Sequence, residues 1–459
     1  MFVDKVKSEG LAHLSYVVGS GGQAAVIDPR RDCEVYVDVA AGHGCRITHI
    51  FETHRNEDLL SGGAILARQT GASVHHGPNP AGPVRYAETA REGDELELGQ
   101  IRLRVLATPG HTDDSLSLAL YDGSTSTDDA VGIFTGDALF VGDVGRTDFY
   151  PDRAREVAGL LFDSLRKITA VGDQAVVYPA HGAGSVCGSG MAEREITTIG
   201  YERRHNPRLA IDDRDEFIEA KLAENHDMPP YFEHMEALNL AGAEPMPRFL
   251  RPAPLTREAV KRRRDRAVVL DVRSASAFLG AHLPESIALP VDMIAAFAGW
   301  LLQPDEDLLL VAEDALQAEE ATRRLARIGY DRVGGFLAPS LAAWAAGGEA
   351  FGTLPVVDAQ AVRRRVDARR TGWVLLDVRG ADEVEQIRIP GSRHVYLGEL
   401  PSRVDELDRA HHHTVMCGSG ARATIAASIL LRAGFSDVDL FLGSMGAWRS
   451  QDLTTASRG

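Results

Sequence analysis

Short apolar runs ending in a polar or Gly/Pro turn recur along the first half of the chain. They are AAVIDP (24–29), ITHIFETH (47–54), IRLRVLATPGHT (101–112), VGIFTGDALF (131–140) and QAVVYPAHGAGS (174–185). Runs of this length between turn residues predict buried strands. Their polar residues collect just past the strand ends, where α/β and sandwich folds build sites. DGSTSTDDA (122–130) predicts a hairpin excursion, and residues 206–245 predict helices broken at Pro229 and Pro230.

The second half repeats itself. AVVLDVRSASAFLGAHLPESIALP starts at Ala267 and WVLLDVRGADEVEQIRIPGSRHVYLG at Trp373. Each opens with an apolar run ending in Asp-Val-Arg, continues into a short helical stretch and reaches a Pro-containing turn. RIGYDRVGGFLAPSLAAW (327–344) and RAGFSDVDLFLGSMGAW (432–448) are a second matching pair. Two copies offset by roughly a hundred residues predict two similar domains of parallel α/β units. RFLRPAPLTREAV (248–260) and GGEAFGTLPVVDA (347–359) are the expected linkers.

Length and charge narrow the function. A chain of 459 residues holds more than one domain. A net charge of −17 excludes a general nucleic-acid or membrane-surface binder, which needs a basic field. No cationic start followed by an apolar run opens the chain, and no window approaches the ~18 apolar residues of a membrane span. The cysteines Cys33, Cys45, Cys187 and Cys417 follow no pairing pattern. Free thiols in a reducing cytoplasm are therefore expected.

Candidate chemistry gathers at the strand ends. His54 follows ITHIFET, His111 sits in TPGHT, Asp137 in FTGDALF and His181 in YPAHGAGS. Any of these alone reads as a hydrogen-bonded structural residue; four in the same strand-end context read as a site. A glycine beside each of His111, Asp137 and His181 allows the close backbone approach that a compact site requires.

With ETHRNED, TPGHT, TGDALF, GDVGRTDF, YPAHGAGSVCG, TIGYERRHNP and MPPYF in place, residues 1–245 resemble the metallo-β-lactamase fold, an αββα sandwich. More narrowly they resemble its persulfide dioxygenase (sulfur dioxygenase) branch. Hydrolases of that superfamily hold two metals with a Thr-His-x-His-x-Asp-His loop. Here Asn56 and Leu59 stand where its second and third histidines would be. Leucine cannot ligate, and an asparagine oxygen suits zinc poorly. The dioxygenase branch implies instead one Fe(II) per chain, held by His54, His111 and Asp137, with zinc admissible in the purified protein. Asn56, Asp58 and His181 are then expected as outer groups that orient ligands or substrate. Arg146, Thr147 and Asp148, with Tyr201 and Arg204, are candidates for positioning a thiol carrier, because arginine pairs well with carboxylates. The opposing reading of the arginine is an ion pair.

The last motif is VMCGSGARATIA (415–426). Cys417, the candidate nucleophile, begins C-x-x-G-x-R, which ends at Arg422, a catalytic candidate whose positive charge would dock an oxyanion or brace the loop. Gly418, Ser419, Gly420 and Ala421 are small enough to wrap backbone N–H groups around a thiolate ahead of a helix. With LLDVR and GSMGAW, residues 357–459 resemble a rhodanese, a sulfurtransferase, and Asp377–Arg379 resembles that family's structural Asp-x-Arg. The first copy, 257–350, resembles it too, but LLLVAEDALQAEEA puts Ala312 or Glu313 opposite Cys417. That copy is expected to be catalytically silent. HHH (411–413) reads as a solvated loop before a strand, and Cys187 as a small buried residue.

The fold expected is α/β: a metallo-β-lactamase sandwich (1–245) followed by two rhodanese-like domains with parallel sheets (257–350 and 357–459). The resemblance implies a cytoplasmic enzyme that oxidises a low-molecular-weight thiol persulfide with O2 to sulfite. Cys417 would exchange sulfur with thiosulfate or sulfite. Neither nucleic acid nor membrane is expected as a partner, and a homo-oligomer stays open. A glyoxalase II-type thioester hydrolase and a non-enzymatic sulfide-responsive carrier are the alternatives.

Overall fold

The computed structural model describes residues 1–451 apart from 81, 186, 187, 189, 248 and 249; Cys187 therefore lies outside the described residues. The chain forms two compact units, residues 1–246 with 327–329, and the remainder of the described chain.

The first unit is a sandwich of two sheets, six strands each, with neighbours following chain order. One sheet runs from Phe2–Ser8 through His13–Ser20, Gln23–Ile27, Arg46–Glu52 and Ser73–His76 to Glu88–Thr89. The other runs from Glu95–Leu98 through Ile101–Ala107, Leu116–Asp122, Ala130–Gly136 and Val176–Pro179 to Thr197–Thr198. Side-chain alternation explains the layering. Along His13–Ser20, Leu14, Tyr16 and Val18 face the core between the sheets with Phe51, Leu103, Leu118 and Phe134. Val17 points the other way, into a cluster with Tyr36, Ile65, Leu66 and Phe232. Those residues come from the helices Glu34–Gly42, Gly63–Thr70 and Phe232–Ala241. The outer face of the second sheet packs Ile133 and Val177 against Leu161, Leu165 and Ile168 of Ala154–Thr169. Helices thus cover both outer faces, giving the αββα layering. The predicted excursion at 122–130 joins two antiparallel strands, with Ala130 opposite Tyr121.

The second unit holds two five-stranded sheets of identical topology. In one, the order is Pro254–Leu255, Val333–Leu337, Leu308–Val311, Val268–Asp271, Ile287–Ala288. In the other it is Val356–Val357, Val438–Phe441, His412–Met416, Trp373–Asp377, Arg393–His394. Every pairing in both is parallel. Asp271 faces Val311 in the first and Asp377 faces Met416 in the second. This register puts Ala312, not Glu313, at the place of Cys417. Within this unit the two lobes touch: Ala288 N–H donates to Ser428 Oγ at 3.0 Å, and Trp300 meets Tyr396 edge-on at 5.6 Å.

Two local expectations change. The end of the stretch 248–260 is regular: Pro254–Leu255 form a short strand, and Thr256 caps a helix over Arg257–Arg263 by accepting from Ala259 N–H. His412 and His413 belong to a strand rather than a loop, with His413 buried and His412 Nε2 3.0 Å from Asp439. Among the described residues no helix is long and apolar enough to cross a membrane.

Candidate metal centre

His54, His111 and Asp137 come from three different strand ends and converge. Their donor atoms all lie within 4.8 Å of one another, and all three side chains are buried. Among the described residues no second group of three His, Cys, Asp or Glu donors meets that distance.

The backbone and neighbouring side chains decide which imidazole nitrogen is free. Thr53 donates its backbone N–H to Asp28 Oδ1 at 2.6 Å and its hydroxyl to Asp28 Oδ2 at 2.9 Å. With that hydrogen committed, Thr53 Oγ1 can only accept from His54 Nδ1, 2.9 Å away. His111 Nδ1 donates to the carbonyl of Arg146 at 3.0 Å. Both rings therefore carry their proton on Nδ1 and turn an Nε2 lone pair inward. Nε2 of His54 is 3.7 Å and Nε2 of His111 is 3.5 Å from Asp137 Oδ2. Neither nitrogen has a hydrogen-bond partner among the described residues, and Asn56 Oδ1 is likewise buried and bare. Lone pairs facing a carboxylate across such gaps suit a divalent cation at their centre, so this donor set fits a metal ion.

Charge is arranged to match. Burial pushes Asp137 upward, but attraction from His181 and His54 and the hydrogen bond from His181 outweigh it, holding the carboxyl well below its usual range. Burial lowers His54, favouring the neutral ring a metal needs. Burial also opposes charge on His111, yet Glu57 and Asp137 raise it. Asp28 is pushed up by burial to about 7 despite the two bonds from Thr53.

Of the remaining candidates, His181 and Asp58 stand directly behind the cluster. His181 Nδ1 bonds Asp137 Oδ1 at 2.8 Å, and its Nε2 lies 3.0 Å from Asp58 Oδ2. Leu59 is buried. The loop is pinned from the helix Phe232–Ala241, where Asn239 donates to the carbonyls of Asn56 and Leu59 at 2.7 and 2.8 Å and accepts from Ser61 N–H.

The thiol-carrier candidates are placed differently. Arg146 is 1% exposed and grips Asp148 with two bonds of 2.7 and 2.6 Å, the ion-pair alternative. Its backbone carbonyl, rather than its guanidinium, touches the cluster through His111. Thr147 is buried. Tyr201 and Arg204 lie on the exposed side of the short helix Ile199–His205, with the Tyr201 ring tilted against that of His205, centroids 4.4 Å apart. Three participants escaped the sequence reading: Thr53, Asp28 and Glu57. Glu57 is buried, with Oε1 3.3 Å from His111 Nε2.

Cys417 sits at the end of His412–Met416, buried, and its Sγ accepts from Gly420 N–H at 3.1 Å. Gly420 makes this turn at φ 124°, a conformation open to glycine. Ser444 fixes the cysteine's backbone, accepting from Cys417 N–H at 3.0 Å and donating to the Phe441 carbonyl at 2.8 Å. Gly418 is half-buried and Ser419 exposed. Arg422, one residue beyond Ala421, is clamped by both oxygens of Glu383, so its guanidinium braces the loop. In the other lobe Ala312 is buried, and Gln317 Oε1 accepts the N–H of Glu313. Asp271–Arg273 and Asp377–Arg379 form the same two-residue ion pair, at 2.6 and 2.7 Å.

Comparison with known proteins agrees with this architecture. Residues 9–181 match the metallo-beta-lactamase superfamily and residues 358–451 the rhodanese-like domain. A hydroxyacylglutathione hydrolase of Rhodospirillum rubrum is 30% identical over 50% of this chain and 74% of its own length. Persulfide dioxygenase ETHE1, mitochondrial, of Mus musculus is 29% identical over 47% of this chain and 77% of its own. A metallo-beta-lactamase crystal structure from Staphylococcus aureus superposes with a TM-score of 0.66 at 30% identity, covering 73% of this chain and 98% of that one. The sandwich, its strand-end cluster and these matches converge: the chain belongs to the metallo-beta-lactamase superfamily and carries a C-terminal rhodanese-like domain.

Proposed function

We propose that this protein is a cytoplasmic persulfide dioxygenase joined to a sulfurtransferase, built as three domains over 1–245, 257–350 and 357–459. The reaction is RSSH + O2 + H2O giving RSH and sulfite with its two protons. The observation that carries the reading is the pair of tautomer-fixed imidazoles, His54 and His111, turned toward Asp137. A single Fe(II) held by these three residues would supply the redox chemistry between O2 and the outer sulfur. The chain's own residues do the positioning. Thr53 and the Arg146 carbonyl hold the two rings, and His181 holds the Asp137 carboxylate. The buried loop keeps bulk water from the cluster.

At the second site the thiolate of Cys417 attacks the outer sulfur of thiosulfate. The S–S bond breaks, sulfite leaves with the electron pair, and a cysteine persulfide remains; an acceptor thiol or sulfite then takes that sulfur. The Gly420 N–H stabilises the sulfur's negative charge. Tethering the two activities raises the local concentration of their shared intermediate.

The hydroxyacylglutathione hydrolase relative favours a second reading, a thioester hydrolase. Against it, Leu59 offers no donor to a second ion, and Asn56 replaces a second histidine with a neutral oxygen. Metal analysis of the purified protein with O2 uptake and sulfite release tests the choice. One iron per chain, with sulfite formed in step with O2, is expected. His111→Ala should strip the iron and stop O2 uptake. Two zincs per chain with thioesterase activity would replace this reading by the other.

A further inference from the structure

Arg422 is the one cation in the loop that starts at Cys417 and ends with it, and its charge is already matched. Its guanidinium lies against that loop: a Cβ on Gly418 would meet Nη2 at 3.3 Å. Both arms of the fork go to Glu383, Nη2 to Oε1 at 2.9 Å and Nη1 to Oε2. Glu383 is itself held, because Oε2 also accepts the N–H of Gly380 at 3.1 Å. A second cation, Arg379, reaches the Glu383 carbonyl at 3.3 Å but is bound to Asp377 by two bonds of 2.9 and 2.7 Å. Two carboxylates thus balance two guanidinium groups, and the thiolate of Cys417 adds a negative charge of its own. A further feature of the loop is apolar. Leu442 is 49% exposed, and its Cδ1 lies 3.6 Å from where a Cβ on Gly420 would stand, beside the N–H that meets Cys417 Sγ. Thiosulfate would bring two negative charges to a thiolate whose neighbouring cation is neutralised, and like charges repel. A donor with one charge and an organic group meets less repulsion and offers apolar surface to Leu442.

We propose that the Cys417 site prefers singly charged organic sulfur donors, an organic persulfide or a thiosulfonate R–SO2–S−, to the thiosulfate dianion, and that Glu383 sets this preference by holding Arg422. The inference rests on the reading of Cys417 as a sulfurtransferase nucleophile. Glu383 acts through Arg422 and is a positioning residue. The thiolate attacks the donor's outer sulfur, and the bond from that sulfur to its carrier breaks. The carrier leaves with the electron pair, as thiolate or sulfinate, and a cysteine persulfide remains. Thiosulfate stays a donor, the slower one. An organic persulfide is also the substrate proposed for the metal centre, so both sites draw on one pool.

The test measures thiocyanate formed from cyanide, above the uncatalysed rate, with thiosulfate or methanethiosulfonate as donor, on the full-length parent, Glu383→Gln and Cys417→Ser. The two donors differ by a methyl group in place of one charged oxygen. The parent should show the higher kcat/KM with methanethiosulfonate. Glu383→Gln releases the Arg422 charge and should raise kcat/KM for thiosulfate about tenfold, chiefly through KM, and clearly less for methanethiosulfonate. In the parent, added salt should narrow the same preference by screening the charges, a measurement that decides the matter if the variant does not fold. A parent that favours thiosulfate, a preference indifferent to salt, or a folded Glu383→Gln with the parent's preference overturns the proposal, and Glu383 then only braces the loop. Transfer retained in Cys417→Ser, or absent from the parent with both donors, removes the sulfurtransferase reading and takes this inference with it.

Discussion

Thr53→Val isolates the hydroxyl that sets the His54 tautomer. Valine copies threonine's shape, and that shape matters: a Cβ on Gly136 would meet Thr53 Cβ at 2.9 Å, so threonine packs against bare backbone. The substitution removes two bonds of 2.9 Å, to Asp28 Oδ2 and His54 Nδ1. Asp28 keeps the Thr53 backbone N–H at 2.6 Å. His54 Nδ1 has no other partner among the described residues, so its full desolvation penalty is exposed. A buried polar group left bare costs roughly 1–3 kcal/mol and a net hydrogen bond about 1 kcal/mol, giving ~2–4 kcal/mol of lost stability. Nothing then favours the proton on Nδ1, and the ring spends part of its time with Nε2 protonated and unable to ligate. Loss of such an orienting partner lowers metal affinity by about 10–100-fold. The assays are urea unfolding of the metal-free protein and chelator competition for the ion. Thr53→Ser keeps the hydroxyl and should recover most of the metal affinity. Affinity of the valine variant within about twofold of the parent, or a serine variant no better than valine, would refute the reasoning.

Other expectations concern the second site, pH and the missing histidines. Cys417→Ser should abolish thiosulfate:acceptor sulfur transfer while leaving persulfide-dependent O2 uptake intact, because serine cannot hold a persulfide. Lost O2 uptake in that variant would mean that sulfur passes through Cys417 before the metal. Although burial opposes it, Glu57 raises His111 above its ordinary value of 6.5. In the metal-free protein this adds stability that is full below the unfolded-state value and fades as pH rises through the raised one. The ion competes with that proton. Metal affinity should therefore fall as pH drops through the same raised value, with proton release on binding, measurable by calorimetry in buffers of different ionisation enthalpy. Metal affinity that stays flat from pH 8 to 5.5 would count against it. Asn56→His with Leu59→His should increase zinc uptake without raising dioxygenase turnover; a markedly better dioxygenase would mean that the present residues impair the enzyme.

What the sequence revealed, and what it hid, divides along a physical line. His54, His111 and Asp137 were legible because each ends an apolar run, and strand ends converge wherever two sheets pack face to face. The duplicated sheet was legible because Asp-Val-Arg recurs at the end of equivalent strands. Glu57 was hidden because the direction of a side chain in an irregular loop depends on what pins the loop. Here that is Asn239, more than 180 residues away for Asn56. Thr53 was hidden because a strand-end threonine carries no chemistry of its own until Asp28 faces it. Arg146 was ambiguous for a different reason. An arginine two residues from an aspartate suits an external carboxylate or its own neighbour equally well, and only its burial against Asp148 separates the two. Whether Ala312 or Glu313 replaces the cysteine was a matter of register, which pairing partners settle and spacing does not.

In the loop 54–59, Asn56 and Leu59 stand where the dinuclear motif has histidines, and Asp58 is kept. Removing a metal from a dinuclear site would ordinarily strand a buried acid, a cost of several kcal/mol per uncompensated charge. In this chain that acid faces an imidazole, 3.0 Å away. Asp58 pairs with His181, which bonds Asp137 on its other side, so one imidazole bridges two buried carboxylates. Leu59 contributes apolar bulk where a ligand would otherwise need an ion, and Asn239 ties down the carbonyls on either side of Asp58. The consequence reaches the remaining site. His181 Nδ1 sits astride the Asp137 carboxylate, 2.8 Å from Oδ1 and 2.9 Å from Oδ2, and Oδ2 also faces His54 and His111 at 3.7 and 3.5 Å. The same His181 ring thus links the acid of the loop to the carboxylate that His54 and His111 face.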